Sequence, residues 1–172
     1  MSIKVVTEFM DVATVRTMVY VYNDDDELVE PTAVKVSIIE PDGPRSGAAT
    51  ATTADHLVDT TKSQFAAADV GKTIYNTTDK TSAVITAYTS SSDVTLDSDI
   101  MAEDENYEMY CIYDEDIVSD GKVEDGVYEH YYHENESSDA MEAGQWRGRV
   151  KVIDGSGDGA KISPGEFSFR VK

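Results

Sequence analysis

The chain has 172 residues and 40% hydrophobic composition, enough for a packed core and too apolar for a disordered tail. Its formal net charge is −20, from 34 acidic and 14 basic residues, a balance that repels nucleic acid and anionic membrane at ordinary salt. No apolar run approaches the roughly 20 residues of a membrane span, Met1–Glu8 lacks the basic-then-apolar pattern of a signal peptide, and the single cysteine, Cys111, can form no intramolecular disulfide.

In chain order, Thr14–Tyr22 is β-branched and aromatic and predicts a strand with Val15, Thr17, Val19 and Val21 on one face. Asn23–Glu27 is a polar turn. Pro31 opens Thr32–Glu40, where Val34, Val36 and Ile38 alternate with Lys35 and Ser37. Pro41-Asp42-Gly43-Pro44 stops this second strand. The composition then shifts. Ser46–Thr61 is rich in Ala, Thr, Ser and Asp, and a short helix or turn is expected near Ser63–Asp69. Short strand-like runs follow at Lys72–Tyr75, Ala83–Tyr88, Asp93–Leu96 and Tyr107–Tyr113, with polar turns at Asn76–Thr81 and Thr89–Ser92. Such spacing predicts a small barrel or meander. Cys111, between Tyr110 and Ile112, reads as a buried thiol.

The earlier pattern resumes at Asp125-Gly126, a turn that launches Val127–Tyr132. An acidic loop, His133–Gly144, leads to Gln145–Ile153, which alternates strictly. Trp146, Gly148, Val150 and Val152 share one face; Gln145, Arg147, Arg149 and Lys151 share the other. The only tryptophan therefore heads a buried row and anchors the core. Gly148 leaves room beside it for a side chain from the facing sheet. Asp154–Gly159 reads as a flexible turn, and Glu166–Lys172 as a closing strand with Phe167, Phe169 and Val171 inward. The expected core anchors are Trp146, Val150, Val36, Ile38, Tyr128, Phe167 and Phe169. Neither outer part has strands enough to close a core alone; together they supply about six. The expectation is an all-β chain: residues 1–47 and 113–172 form one discontinuous sandwich, and 48–112 form an inserted small β-barrel or meander module.

Leu28–Val34, Ile39–Gly43, Gly126-Val127-Tyr128, Gly144-Gln145-Trp146 and Gly165-Glu166-Phe167, in that order, resemble immunoglobulin-like β-sandwich domains of tailed-virus and phage structural proteins. The paired cysteines of antibody-type domains are absent, and the tryptophan lies on a late strand. Leu57-Val58-Asp59, Phe65, Asp69–Asn76, Ser82–Thr86 and Thr95-Leu96-Asp97 resemble small β-modules of phage tail and capsid-associated proteins. The resemblance implies a virion location and work done by binding other virion proteins: capsid, portal or neck, or tail subunits. It also implies a homo-oligomer in the particle.

His130, His133 and Glu134 invite a metal, but three-residue spacing on a strand puts the histidines on opposite faces. Asp154-x-Ser156-x-Asp158-Gly159 mimics the start of a calcium loop, yet its twelfth position is Gly165. Asp24–Glu27 and Glu134–Glu142 read as solvated faces. No nucleophile motif or phosphate-cradling loop is present. No cofactor, metal site or enzyme activity is therefore expected. The notable charge feature is basic: Arg147, Arg149, Lys151 and Arg170. Cross-strand pairing with acids such as Glu129 is the plain reading. Docking on an acidic subunit is the functional one. The acid excess, spread along the whole chain, also fits a surface built to stay hydrated in concentrated salt. The expected role is a non-enzymatic virion structural protein, a capsid decoration, turret, neck or tail component; the alternative is a host-surface-binding adhesin.

Overall fold

The computed structural model describes residues 1–9, 14–133, 143–155 and 161–171. Its strands are β1 (Ser2–Phe9), β2 (Thr14–Tyr22), β3 (Ala33–Ile39), β4 (Arg45–Ala48), β5 (His56–Val58), β6 (Thr73–Asn76), β7 (Thr81–Ser90), β8 (Asp93–Leu96), β9 (Asn106–Tyr110), β10 (Ile112–Asp116), β11 (Lys122–Glu124), β12 (Val127–His133), β13 (Gly144–Asp154) and β14 (Lys161–Val171). The expected helix or turn near 63–69 is a single 3-10 turn at Ala67–Asp69. The protein is all-β, with antiparallel pairing throughout the described ladders.

The chain divides into two compact units, 1–41 with 114–172, and 42–113. The boundary expected after residue 47 falls inside β4. Arg45–Ala48 pairs with Asn106–Met109, so these residues belong to the middle unit.

The outer unit has two four-stranded sheets, β1-β2-β12-β11 and β10-β3-β13-β14. Lettered A to G in sequence, with β10 as an added edge strand beside C, this is the A-B-E-D and C-F-G order of the immunoglobulin sandwich. Alternation drives it. On β2, Val15, Thr17, Val19 and Val21 are buried and their neighbours are not. On β13, Trp146, Gly148, Val150 and Val152 are buried. Across the interior the Tyr132 ring of one sheet lies 5.8 Å from Trp146 of the other. Trp146 stacks on Phe169 of the neighbouring strand at 5.9 Å. Of the expected anchors, Trp146, Val150, Val36, Ile38, Tyr128 and Phe169 are buried, and Phe167 is half-buried.

The space beside Gly148 is filled differently from the expectation. Phe167, directly opposite Gly148 on β14 of the same sheet, lays its ring over the glycine. Pro164, which cannot donate to a ladder, is accommodated on β14 because that strand ends its sheet.

The middle unit is a six-stranded sheet, β4-β9-β6-β7-β8-β5. It curls on itself: the Thr50 N–H donates to the Val58 carbonyl at 2.7 Å, and an Ala51–Val58 bridge links the two ends. Leu57, Ile74, Ile85, Val94, Leu96 and Met109 fill the concave side. Register shifts along the β7–β8 ladder supply the local twist such curling needs.

Candidate functional site

The outward face of β13 carries Gln145, Arg147, Arg149 and Lys151, because the opposite parity is committed to the Trp146 row. Register with β14 sets Arg147 beside Ser168, Arg149 beside Glu166 and Gln145 beside Arg170. Register with β3 sets Lys151 beside Lys35, Arg149 beside Ser37 and Arg147 beside Ile39. Five cations, Lys35, Arg147, Arg149, Lys151 and Arg170, thus share one sheet face. Successive cations on β13 are about 7 Å apart and adjacent strands about 4.8 Å apart. Arg147, Arg149 and Arg170 are exposed.

Among the described residues their charge is little neutralised within the unit. Lys151 Nζ contacts Asp114 at 3.1 Å. Among the described residues, no carboxylate forms an ion pair with Lys35, Arg147, Arg149 or Arg170. The pairing with Glu129 expected from sequence does not occur. Glu129 sits on β12 of the other sheet, where its Oε2 accepts from Arg16 Nη2 at 2.6 Å and Nε at 3.1 Å. That bond draws the Arg16 guanidinium, already among Tyr131, Glu129 and Glu8, further toward its charged form. Beside the arginines lies a groove of about 440 Å³ lined by Ile39, Arg147, Arg149, Glu166 and Ser168.

The other candidates divide plainly. His130 is buried, with Nε2 3.4 Å from Glu115. The bond from His130 holds the Glu115 carboxyl below the usual carboxylate range, against the opposing effect of burial. The side chains of His133 and Glu134 lie outside the described residues, as do the loop Glu134–Glu142 and Ser156–Gly159 of the calcium-like turn. Among the described residues, no three His, Cys, Asp or Glu side chains converge as metal ligands. Cys111 is buried. Asp25, Asp26 and Glu27 are exposed, and Asn23 Oδ1 accepts the N–H groups of Asp25 and Glu27, which fixes that turn.

Sequence reasoning missed two buried acids of the middle unit. Asp69 is paired with Arg45 and Lys72 and accepts the Ala66 N–H at 2.8 Å. Asp59 is fully buried; it accepts Tyr107 OH at 2.8 Å and the N–H groups of Thr61 and Lys62 at 2.9 and 3.0 Å. Asp59 sits just before a turn and caps N–H groups that follow it, whereas Asp69 ends the 3-10 turn and reaches back to Ala66; a short carboxylate at a turn is the signal that could have found both. Next to Asp59 and Tyr107 opens a polar groove of about 670 Å³, reaching Thr50, Lys62, Glu103 and Asn106.

No family model, no curated protein and no solved structure matches the chain.

Proposed function

We propose that this chain is a non-enzymatic structural protein of a tailed virus. It acts by protein–protein assembly as a capsid decoration, turret, neck or tail component. The observation that carries the reading is the row of Arg147, Arg149 and Arg170, exposed on one sheet face and without an ion pair among the described residues, in a chain of net charge −20. Positive meeting negative surface gives an interface its register and its encounter rate. The order of glycine, proline and aromatic motifs points the same way, toward sandwich domains of virion proteins. The test is antibody labelling of purified virus particles, with mass spectrometry of separated heads and tails to locate the protein. Detection at fixed stoichiometry supports the reading; absence from particles overturns it.

A second reading, a host-surface adhesin, is favoured by the polar groove beside Tyr107 in the middle unit. Saccharides are held by polar groups converging in such concavities. Specific, saturable binding on a glycan array would favour it over assembly.

A further inference from the structure

The outer unit is electrically polar. One face of the sheet β10-β3-β13-β14 carries Lys35, Arg147, Arg149, Lys151 and Arg170, with Glu166 as the acid beside them and Asp114 on Lys151. At one end of the same unit, two turns come together. The Val21 N–H donates to Gly126 O at 2.9 Å, and Tyr22 bridges to Leu28, so the turn 23–27 and the turn 124–126 are neighbours. This end presents Asp24, Asp25, Asp26, Glu27, Glu124 and Asp125. Two cations temper it. The N-terminal amine meets Asp24 at 2.6 Å, and Lys122 meets Glu30 and Asp125 at 2.6 and 2.9 Å. The end stays negative, and its Asn23-braced turn holds the carboxylates outward.

We infer that the occupant of the cationic face is the acidic end of a second copy of this chain. Charge decides which surfaces meet. The cationic face set against itself, or the acidic end against itself, would oppose like charges directly. Only the unlike pairing removes charge from both surfaces. Two copies can make it reciprocally about a two-fold axis, or many can make it in one direction as a ring or fibre. Arg147 and Arg149 supply planar guanidinium forks that match carboxylates two at a time. This deepens the assembly reading and rests on it.

The experiment is charge-swap complementation on the full chain at about 0.15 M salt, read by native mass spectrometry and analytical ultracentrifugation. Two variants are made: R147E/R149E, and D25K/D26K/E27K. Wild type is expected to self-associate. Each variant alone is expected to lose association at least tenfold. An equimolar mixture is expected to associate again, because the intact acidic end of one variant meets the intact cationic face of the other. Circular dichroism checks folding; should R147E/R149E fail to fold, R147Q/R149Q takes its place. A wild-type chain that stays monomeric, a closed two-fold dimer untouched by either change, or a mixture that does not recover would each overturn the inference. A monomer that still labels virus particles would leave the assembly reading standing. A self-associating chain absent from particles would do the reverse.

Discussion

The far end of the Phe167 ring lies against Gly148, so close that a Cβ at that position would sit 2.0 Å from Cζ and 2.3 Å from Cε1. The two residues face each other in the β13–β14 register, and the ring then stacks toward Phe169, itself stacked on Trp146. Glycine is required here by contact: the missing side chain is the space the ring occupies. Gly148→Ala should cost about 1–3 kcal/mol by overpacking. In the Phe167→Ala background the same change should cost much less, because nothing then opposes the methyl. Urea denaturation of the four proteins of this double-mutant cycle measures the coupling. Additive effects would show that the ring can leave its place freely.

Much of the sandwich was readable because its strands are long and half-buried. Val15 to Val21 and Trp146 to Val152 alternate without interruption, and only one parity can face a core. The sequence pattern does not mark β1, β4, β5 and β11, and the single run expected at Tyr107–Tyr113 divides into β9 and β10, which join different sheets. β4 and β11 span only Arg45–Ala48 and Lys122–Glu124, and they become strands because β9 and β12 offer them ladders. Glu129 shows a second limit. Alternation tells which face a residue takes but not which strand lies beside it, and the A-B-E-D order put Arg16 next to Glu129 instead of Arg147. The buried Asp59 and Asp69 show a third, since acids are read as solvated until their partners, distant in sequence, are known.

The middle unit depends on one such acid. Tyr107 OH donates to Asp59 Oδ2 at 2.8 Å and accepts from Gln64 Nε2 at 2.7 Å. Burial first, and the Asp59 bond with it, pushes the Tyr107 phenol well above its ordinary value. Tyr107→Phe keeps the ring and removes the donor, leaving a buried carboxylate oxygen short of a partner. The expected cost is about 1–3 kcal/mol. Gly47→Ala should disturb the same spot, since its Cβ would lie 2.3 Å from Asp59 Oδ2. Thermal unfolding monitored by calorimetry checks both. A Tyr107→Phe protein as stable as wild type would mean that water replaces the hydroxyl.

With net charge −20, self-repulsion opposes the compact state. Salt shortens the Debye length from about 10 Å at 0.1 M to about 3 Å at 1 M, which screens that repulsion. The melting temperature should therefore climb as KCl is raised from about 0.1 to 1 M. A maximum in salt-free buffer would reject both the repulsion argument and the expectation of a chain suited to concentrated salt.

Acid should unfold the protein through Asp69 and Glu115. Burial by itself would raise the Asp69 carboxyl, but the Arg45 guanidinium, the Ala66 N–H and Lys72 outweigh it and hold it below the usual range. Glu115 is depressed by its bond from His130. Unfolded, these groups titrate near 3.9 and 4.3. A folded value below the unfolded one stabilises the protein above the unfolded value, and that stabilisation disappears as pH falls through the folded one. The urea midpoint should therefore stay level through these two groups down to about pH 5 and drop steeply below about pH 4. Asp69→Asn should lower stability at pH 7, because Arg45 and Lys72 lose their counter-charge, and should make the acid limb shallower. An Asp69→Asn protein with the wild-type slope below pH 4 would show that other carboxylates carry the acid transition.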